Sequence, residues 1–173
     1  MNLFAVALSF AQLLMTFPVE IDGGSMIPTL YDGGQIYASR YEARFEEIDR
    51  GDIVVFTLPY GGDEELYVKR VIGVAGDSVA IKKGLVYVDG TRQSEMYLRR
   101  GTVTDVGDFG GFLGGQSNVV LTADAGGFVY NVPEDSYFVM GDNRTASVDS
   151  RHFTTTYIQK DDIKGVFTYL TFP

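Results

Sequence analysis

The chain has 173 residues and a formal net charge of −9, with apolar residues at 45%. This length suits one domain, or one core with an insertion, and the negative charge argues against a nucleic-acid partner because such domains are usually basic. The chain has no cysteine and a single histidine, which excludes disulfides and argues against a zinc site. We therefore expect no metal and no other cofactor.

Residues 3–17 carry no charged side chain, and Pro18 follows them. As a helix they would extend about 22 Å at 1.5 Å per residue, whereas a bilayer core is about 30 Å thick. We predict an apolar N-terminal helix over residues 1–18 that contacts membrane lipid as an anchor. A helix that is buried or paired with another chain is the alternative.

Beyond Pro18 the apolar residues follow short runs and a period of two, which favours strands. Two of these runs, separated by Lys82-Lys83-Gly84, are typical of a hairpin. Closely spaced short strands predict a mainly β protein with an antiparallel, sheet-like or barrel-like core. The predicted strands are residues 35–40, 52–58, 66–74, 78–81, 85–88, 119–122, 128–132, 137–140 and 166–172.

Residues 101–127 contain eight glycines, too many for a segment that supplies much core. We predict that residues 19–82 and 133–173 form the core, and that residues 83–132 form a smaller inserted β subdomain. A long hairpin with a flexible tip fits the same pattern.

A serine stands in a tight turn of small residues, Gly24-Ser25-Met26-Ile27-Pro28. Pro28 fixes its own φ, and a rigid turn would present the Ser25 hydroxyl and aim its N–H at a developing oxyanion. By itself, such a serine is equally typical of an ordinary loop.

A lysine, Lys69, lies inside the apolar run of residues 66–74. A free lysine has a pKa near 10.4 and is a poor base, but burial lowers that pKa and a neutral amine accepts a hydroxyl proton. Taken alone, Lys69 would more often be a surface residue of an edge strand. A histidine triad would require His152, the single histidine, and the Ser25/Lys69 pair accounts for more of the sequence.

A third segment, residues 141–151, brings two aspartates and two arginines together. Such groups form ion-pair networks that stiffen loops, and taken alone this pattern is more often structural than catalytic. Its Ser147 could orient a lysine amine.

With these residues in place, the chain resembles the type I signal peptidases, which are membrane-anchored Ser/Lys proteases. The matching segments, in family order, are residues 25–30, 50–56, 69–73 with Gly76-Asp77, and 141–151. They frame about residues 18–80 and 133–173. The glycine-rich part carries no recognisable motif.

The resemblance implies a role for each matching residue. Ser25 would be the nucleophile, Lys69 the general base and Ser147 the hydroxyl that orients Lys69. Supporting roles fall to Gly23, Asp142, Arg144, Asp149 and Arg151. An apolar trough selecting small residues at the first and third positions before the cut would be lined by Val19, Ile21, Leu30, Ile36, Val55, Tyr67 and Val68.

Two positions depart from the common family pattern. Gly23 stands where some members carry a hydroxyl residue that assists the oxyanion, as in the Gram-positive version. The oxyanion would then depend mainly on the Ser25 N–H, with the Gly23 backbone or water as further candidates. Ala75 stands where a proline is common, which should affect loop rigidity more than chemistry.

The implied function is a serine endopeptidase that cleaves signal peptides from exported preproteins after Ala-x-Ala. It would be held in the plasma membrane by one N-terminal anchor, with its catalytic domain on the extracytoplasmic face. One alternative is a non-catalytic relative that acts as a binding or assembly factor for secreted or pilus proteins. A self-cleaving repressor-type protease would also need a DNA-binding module, and the acidic charge argues against one.

Overall fold

The computed structural model describes residues 14–58, 65–105, 119–122, 127–153 and 155–168. Within these ranges, strands make up most of the regular structure and all of their pairings are antiparallel. The prediction of a mainly β, antiparallel protein is confirmed.

The larger sheet includes the strand on which Lys69 lies. Its strands, in chain order, are β1 (Thr16–Glu20), β2 (Gln35–Ser39), β3 (Ile53–Thr57), β4 (Leu66–Gly73), β10 (Ser136–Met140), β11 (Ile158–Gln159) and β12 (Ile163–Thr168). Their order across the sheet is β1-β2-β12-β3-β4-β10-β11. Strand β4 therefore lies inside the sheet, between β3 and β10, with apolar neighbours on both sides.

The smaller sheet contains β5 (Ser78–Lys82), β6 (Leu85–Val88), β7 (Thr91–Arg92), β8 (Val119–Thr122) and β9 (Gly127–Asn131). Its order is β7-β6-β5-β9-β8, and β5 and β6 form the predicted hairpin. Strand β5, which the sequence analysis assigns to the core, pairs here with β6 and β9. The chain thus passes from the larger to the smaller sheet at the turn before Ser78.

Short helices connect the strands of the larger sheet. Helix α1 (Arg40–Phe45) begins where the Ser39 side chain accepts a hydrogen bond from the Glu42 N–H, and it packs on β12. A 3₁₀ helix (Lys160–Asp162) leads into β12.

The prediction of a helix over residues 1–18 is wrong at its end, because Thr16, Phe17 and Pro18 lie in β1. Pairing with β2 outweighs the helical pattern there, and Val19 opposite Ile36 is buried. An edge strand tolerates Pro18 because a missing N–H on the outer side breaks no ladder bond. Residues 1–13 lie outside the described residues.

None of the described helices is both long and apolar enough to cross a bilayer.

Three strands, namely β1, β7 and β11, were not predicted from the sequence. The last predicted strand, 166–172, begins three residues too late, and residues 169–172 lie outside the described part of the chain.

Candidate active site

Ser25 lies in the loop that joins β1 to β2. Backbone hydrogen bonds between Ile21 and residues 33 and 34 close this loop at its base, each with an N···O distance of 2.8 Å. Inside the loop, the Met26 carbonyl accepts hydrogen bonds from two following amides. The Met26 side chain is 1% exposed, so the turn that presents Ser25 is fixed by an apolar side chain beneath it.

The Lys69 amine and the Ser25 hydroxyl are in direct contact, with an Nζ–Oγ distance of 2.9 Å. Lys69 lies on β4 opposite Val54 and is 4% exposed. Its Nζ also donates to the Val68 carbonyl oxygen at 2.9 Å. Lys69 and Ser25, which are 44 residues apart in the sequence, thus meet in the fold. The two hydrogen bonds of the amine fix the direction in which it points.

Burial lowers the pKa of Lys69 from its ordinary value of 10.5 to about 8, and the negative charge of Asp149 opposes part of this shift. Near pH 8 about half of the molecules therefore carry a neutral amine. A neutral amine within hydrogen-bond reach of a hydroxyl is the arrangement that proton abstraction needs.

The loop of residues 141–147 packs against the Ser25 turn. The Asn143 N–H donates to the Ser25 carbonyl at 2.9 Å, and its side-chain amide donates to the Gly24 carbonyl at 3.0 Å. A Cβ at Gly141 would lie 2.2 Å from Ser147 Oγ and 2.5 Å from the Ser25 carbonyl oxygen. Only glycine fits between the two segments.

Ser147 is buried, and its Oγ hydrogen-bonds no described residue, Lys69 included. An unpaired buried hydroxyl costs about 1–3 kcal/mol, so its presence beside Gly141 calls for an explanation. Its predicted role as the group that orients Lys69 stays a prediction.

Gly23 adopts a φ of +81°, which favours glycine. Its N–H donates to Asp32 Oδ1 at 2.8 Å and is therefore already used. The Ser25 N–H, in contrast, has no acceptor among the residues that the structure describes. Of these two backbone donors, the Ser25 N–H is the one open to an oxyanion.

Asp142 pairs with an arginine outside its own loop. Arg70, next to Lys69 on β4, donates to both carboxylate oxygens at 2.9 and 2.7 Å, and Thr29 Oγ1 donates to the same group. Arg70 also donates to the Gly51 carbonyl at 2.6 Å. This buried pair joins the Lys69 strand, the Ser25 turn and the loop after β10.

Asp149 and Arg151 pair with each other through two hydrogen bonds of 2.8 Å, both side chains being fully buried. Asp149 also accepts from the Gly141 N–H at 2.9 Å. Burial raises the pKa of Asp149, but hydrogen bonds from Arg151 and His152 outweigh this effect and hold it well below its usual range. The carboxylate is therefore ionised and fixes the amide of Gly141.

Arg144 does not pair with either aspartate of its loop. Its fully buried guanidinium donates to Glu95 at 2.6 Å, to Thr104 Oγ1 at 2.7 Å and to Tyr97 Oη at 3.2 Å. The expected network within residues 141–151 is therefore only partly internal, because Asp142 and Arg144, two of its four charged residues, form their ion pairs only with residues outside it.

Tyr97 contacts both arginines that hold the loop. Its ring centroid lies 4.1 Å from Arg70 Cζ and 5.9 Å from Arg144 Cζ, and its hydroxyl donates to Glu95 at 3.1 Å. These supports are not evident from the sequence, because residues 95–104 carry no family motif. The sequence shows Arg70 directly after Lys69, but it does not show that Asp142 is the partner of Arg70.

Six of the seven residues predicted to line the trough belong to one apolar cluster. They are Val19, Ile21, Leu30, Ile36, Val55 and Val68. Tyr67 belongs to the neighbouring cluster, where its ring stacks on Phe56 at 5.8 Å and meets Phe153 edge-on. The structure therefore does not bring Tyr67 together with the other six.

His152 is not the group that contacts the Ser25 hydroxyl. Its Nδ1 is 3.6 Å from Asp149 Oδ1, whereas the group that contacts Ser25 Oγ is the Lys69 amine. The basic partner of the serine is thus an amine.

Comparison with known proteins agrees with this arrangement. The family model described as "Signal peptidase, peptidase S26" matches residues 1–172. Signal peptidase I of Bacillus amyloliquefaciens is 36% identical over 171 residues, covering 97% of this chain and 84% of the relative. Signal peptidase IB of Staphylococcus aureus is 34% identical over 170 residues, covering 98% and 84%.

The chain belongs to the signal peptidase family, peptidase S26. It is also similar to a crystal structure of a signal peptidase I from Enterococcus faecalis, with a TM-score of 0.50 and 27% identity over 71% of this chain and 98% of that one. The resemblance found from the four sequence segments is thereby confirmed, and with it the assignment as a peptidase.

For this signal peptidase family member, we predict that Lys69→Met raises the free energy of unfolding by about 1–3 kcal/mol at about pH 6. Below pH 8 the amine is protonated in both states, and the folded state carries the cost of a buried ammonium. Between the folded and unfolded pKa values only the unfolded chain binds the proton, so wild-type stability rises with pH. The gain from Lys69→Met should therefore shrink towards pH 10.5.

Urea denaturation at several pH values measures this difference, and Lys83→Met, at an exposed lysine, is the matched control. A wild type whose stability relative to Lys69→Met did not depend on pH would contradict the burial of a titrating amine.

We also predict that Glu95→Gln lowers the free energy of unfolding by about 2–4 kcal/mol, because it leaves the buried Arg144 cation without its carboxylate. The matched control is Asp105→Asn, which removes a carboxylate that is 62% exposed and lies 3.2 Å from the equally buried Arg151. That change should cost under about 1 kcal/mol. Equal effects in urea denaturation would show that Glu95 does not hold Arg144 in the way described.

Proposed function

We propose that the chain hydrolyses signal peptides of exported preproteins, with Ser25 as nucleophile and Lys69 as general base. The observation that carries this proposal is the 2.9 Å contact between Lys69 Nζ and Ser25 Oγ, made by an amine whose pKa is lowered to about 8. Because a scaffold protein has no use for a buried, neutral amine at a serine hydroxyl, this contact also argues against a purely binding role.

In the first half of the reaction, Lys69 Nζ accepts the Ser25 proton as Oγ attacks the carbonyl carbon before the cut. The oxyanion that forms would accept a hydrogen bond from the Ser25 N–H. The protonated Lys69 then gives its proton to the leaving amine, and the peptide bond breaks to leave an ester on Ser25.

In the second half, Lys69 accepts a proton from water, whose oxygen attacks the ester carbonyl. Collapse of this intermediate breaks the bond to Ser25 Oγ, which takes the proton from Lys69, and releases the signal peptide as a carboxylic acid that then loses its proton to solvent. Both halves need Lys69 neutral at the start, so the rate should rise with pH through about 8.

Ser147 would serve this cycle as a hydrogen-bond partner for the Lys69 amine. Its buried hydroxyl lacks a partner in the described part of the chain, and it lies on the loop that packs against the Ser25 turn. When Lys69 is protonated it has a third N–H to donate beyond those directed at Ser25 and Val68. A small side-chain movement would let Ser147 accept it.

The ion pairs would act as supports rather than as reacting groups. Asp142 with Arg70, and Asp149 with Arg151, hold the loop of residues 141–147 against the Ser25 turn. Gly23 would support the same turn through its positive φ and its hydrogen bond to Asp32. Arg144 would connect this loop to residues 95–104.

Specificity for small substrate side chains would come from the apolar cluster to which six of the predicted trough residues belong. Leu30 and Val68 are only partly buried and would contact the substrate, over a floor formed by the buried Val19, Ile36 and Val55. Branched side chains on such a floor would leave a shallow surface that excludes large substrate side chains by contact. Strand β1 is at the edge of the larger sheet, and an extended substrate would pair with such an edge. Alanine at the first and third positions before the cut fits this surface.

The uncharged residues 3–17 support placement of the chain at the plasma membrane, with residues 19 onward on the extracytoplasmic face. Residues 83–132 would form a subdomain inserted into the catalytic core. The hydrogen bonds that Arg144 donates to Glu95 and Tyr97 support a stabilising role for this insert.

The test is cleavage of a detergent-solubilised preprotein with an Ala-x-Ala site, with the products mapped by mass spectrometry. Wild type should cut after the second alanine, and Ser25→Ala should not. Lys69→Arg should lose at least about 100-fold in rate, because a guanidinium stays protonated. Ser147→Ala should slow the reaction without abolishing it.

Ser94→Ala and Lys83→Arg, both at exposed positions, are the matched controls and should cut like wild type. Full turnover by Lys69→Arg would refute the assignment of the base. Failure of the folded wild type to cut any of several preproteins would refute the proposed activity.

A further inference from the structure

A second site lies on the larger sheet, formed by residues to which the reaction gives no role. A groove of about 850 Å³ opens between the start of β1, helix α1, the adjoining ends of β3 and β4, and the start of β12. Four basic side chains line it: Arg40, Arg44, Lys160 and Lys164. We call it the basic groove.

The charge of the basic groove is opposite to that of the whole chain. Acidic residues outnumber Lys and Arg by 23 to 14 in the sequence, whereas the described residues that line the groove include four basic ones and one carboxylate, that of Asp161. A cluster of this sign on an acidic protein concentrates a local positive potential.

Among the residues that the structure describes, no carboxylate is paired with these four cations. Within the described residues, none of them forms an ion pair at 4.0 Å or less. Lys164 Nζ donates only to the backbone carbonyl of Asp161, at 3.3 Å. In contrast, Arg50, Arg70, Arg144 and Arg151 are all ion-paired. The cations of the basic groove thus differ from the arginines that support the fold, which are all ion-paired.

The groove combines its cations with an apolar floor. Phe17 lies under the Arg40 guanidinium, with 4.0 Å between Cζ and the ring centroid. The other apolar residues of the described lining are Met15, Ala43, Leu66 and Ile163. Basic side chains above apolar ones suit the boundary between lipid headgroups and acyl chains, where both kinds of contact are satisfied at once.

The position of the groove along the chain indicates what would cover it. Met15 and Phe17, which line it, belong to the uncharged run of residues 3–17. If that run contacts a bilayer, the groove lies where the chain leaves it, within reach of the headgroups.

We propose that the basic groove binds the anionic headgroups of membrane phospholipids. This inference rests on the membrane placement proposed above but is independent of the peptidase reaction. Bound headgroups would add a second attachment beside the N-terminal segment, and two weak attachments reinforce each other when their geometry allows both. The groove would thereby fix the orientation of the larger sheet against the membrane.

The sign of the net charge makes this proposal easy to test. A protein of charge −9 is repelled by an anionic surface unless a basic region faces that surface. The full chain is mixed with large vesicles of phosphatidylcholine alone, or of phosphatidylcholine with phosphatidylglycerol, and the bound fraction is measured by sedimentation. We expect at least tenfold tighter binding to the anionic vesicles at low salt, on the order of the contribution of a few cations.

Salt tests the same point in the wild type without any substitution. Raising the ionic strength from about 0.1 M to about 1 M shortens the Debye length from about 10 Å to about 3 Å. The preference for anionic vesicles should then disappear, while binding to phosphatidylcholine should not weaken.

The double variant Arg44→Glu/Lys164→Glu should lose the preference or reverse it. Its matched control is Lys83→Glu/Arg92→Glu, which changes the net charge equally at exposed positions of the smaller sheet. The control should keep most of the preference.

The outcomes separate this inference from the proposals on which it builds. Equal wild-type affinity for both vesicle types, or equal loss of preference in the two double variants, would overturn the groove assignment. Binding to neither vesicle type would overturn the membrane placement as well. Cleavage of the detergent-solubilised preprotein, measured on the same samples, tests the peptidase proposal separately.

Discussion

Burial of the Lys69 amine against the Ser25 hydroxyl is the constraint on which the rest of this structure depends. A lysine is useful as a base only where its charged form is disfavoured, and here burial lowers its pKa to about 8. The fold must therefore carry a destabilised group at its centre. It tolerates this cost because the other buried charges nearby are paired, with Arg70 bound to Asp142 and Asp149 to Arg151.

The same pairs explain how three distant segments meet with the accuracy that a 2.9 Å contact requires. Arg70 is adjacent to Lys69, and its partner Asp142 accepts from Thr29 in the Ser25 turn. The next residue, Asn143, holds the backbone of Ser25 itself. The Arg70–Asp142 pair thus lies next to Lys69 along one segment and next to Asn143, which holds Ser25, along the other. The supporting charges stabilise the fold and position the pair, so their loss should affect both properties.

The sequence predicted those features that depend on local pattern or on motifs, and failed where partners come from elsewhere. Alternation and the Lys82-Lys83-Gly84 turn were enough to find the hairpin of β5 and β6. Strand β1 was missed because an uncharged run that ends in proline fits a helix equally well, and only pairing with β2 decides the matter. The Ser25–Lys69 contact was predicted from motifs, but the hold of Glu95 on Arg144 depends on tertiary packing that no local pattern encodes.

Titration of the Lys69 side chain tests the central claim most directly. In protein labelled with ¹³C at lysine, the ε-carbon signal that is absent from Lys69→Met identifies this residue, and its chemical shift reports protonation as pH is raised. A midpoint of about 8 is the result that burial beside Ser25 predicts. A midpoint near 10.5, the ordinary value for lysine, would mean that the fold does not favour the neutral amine, and would contradict Lys69 as the base.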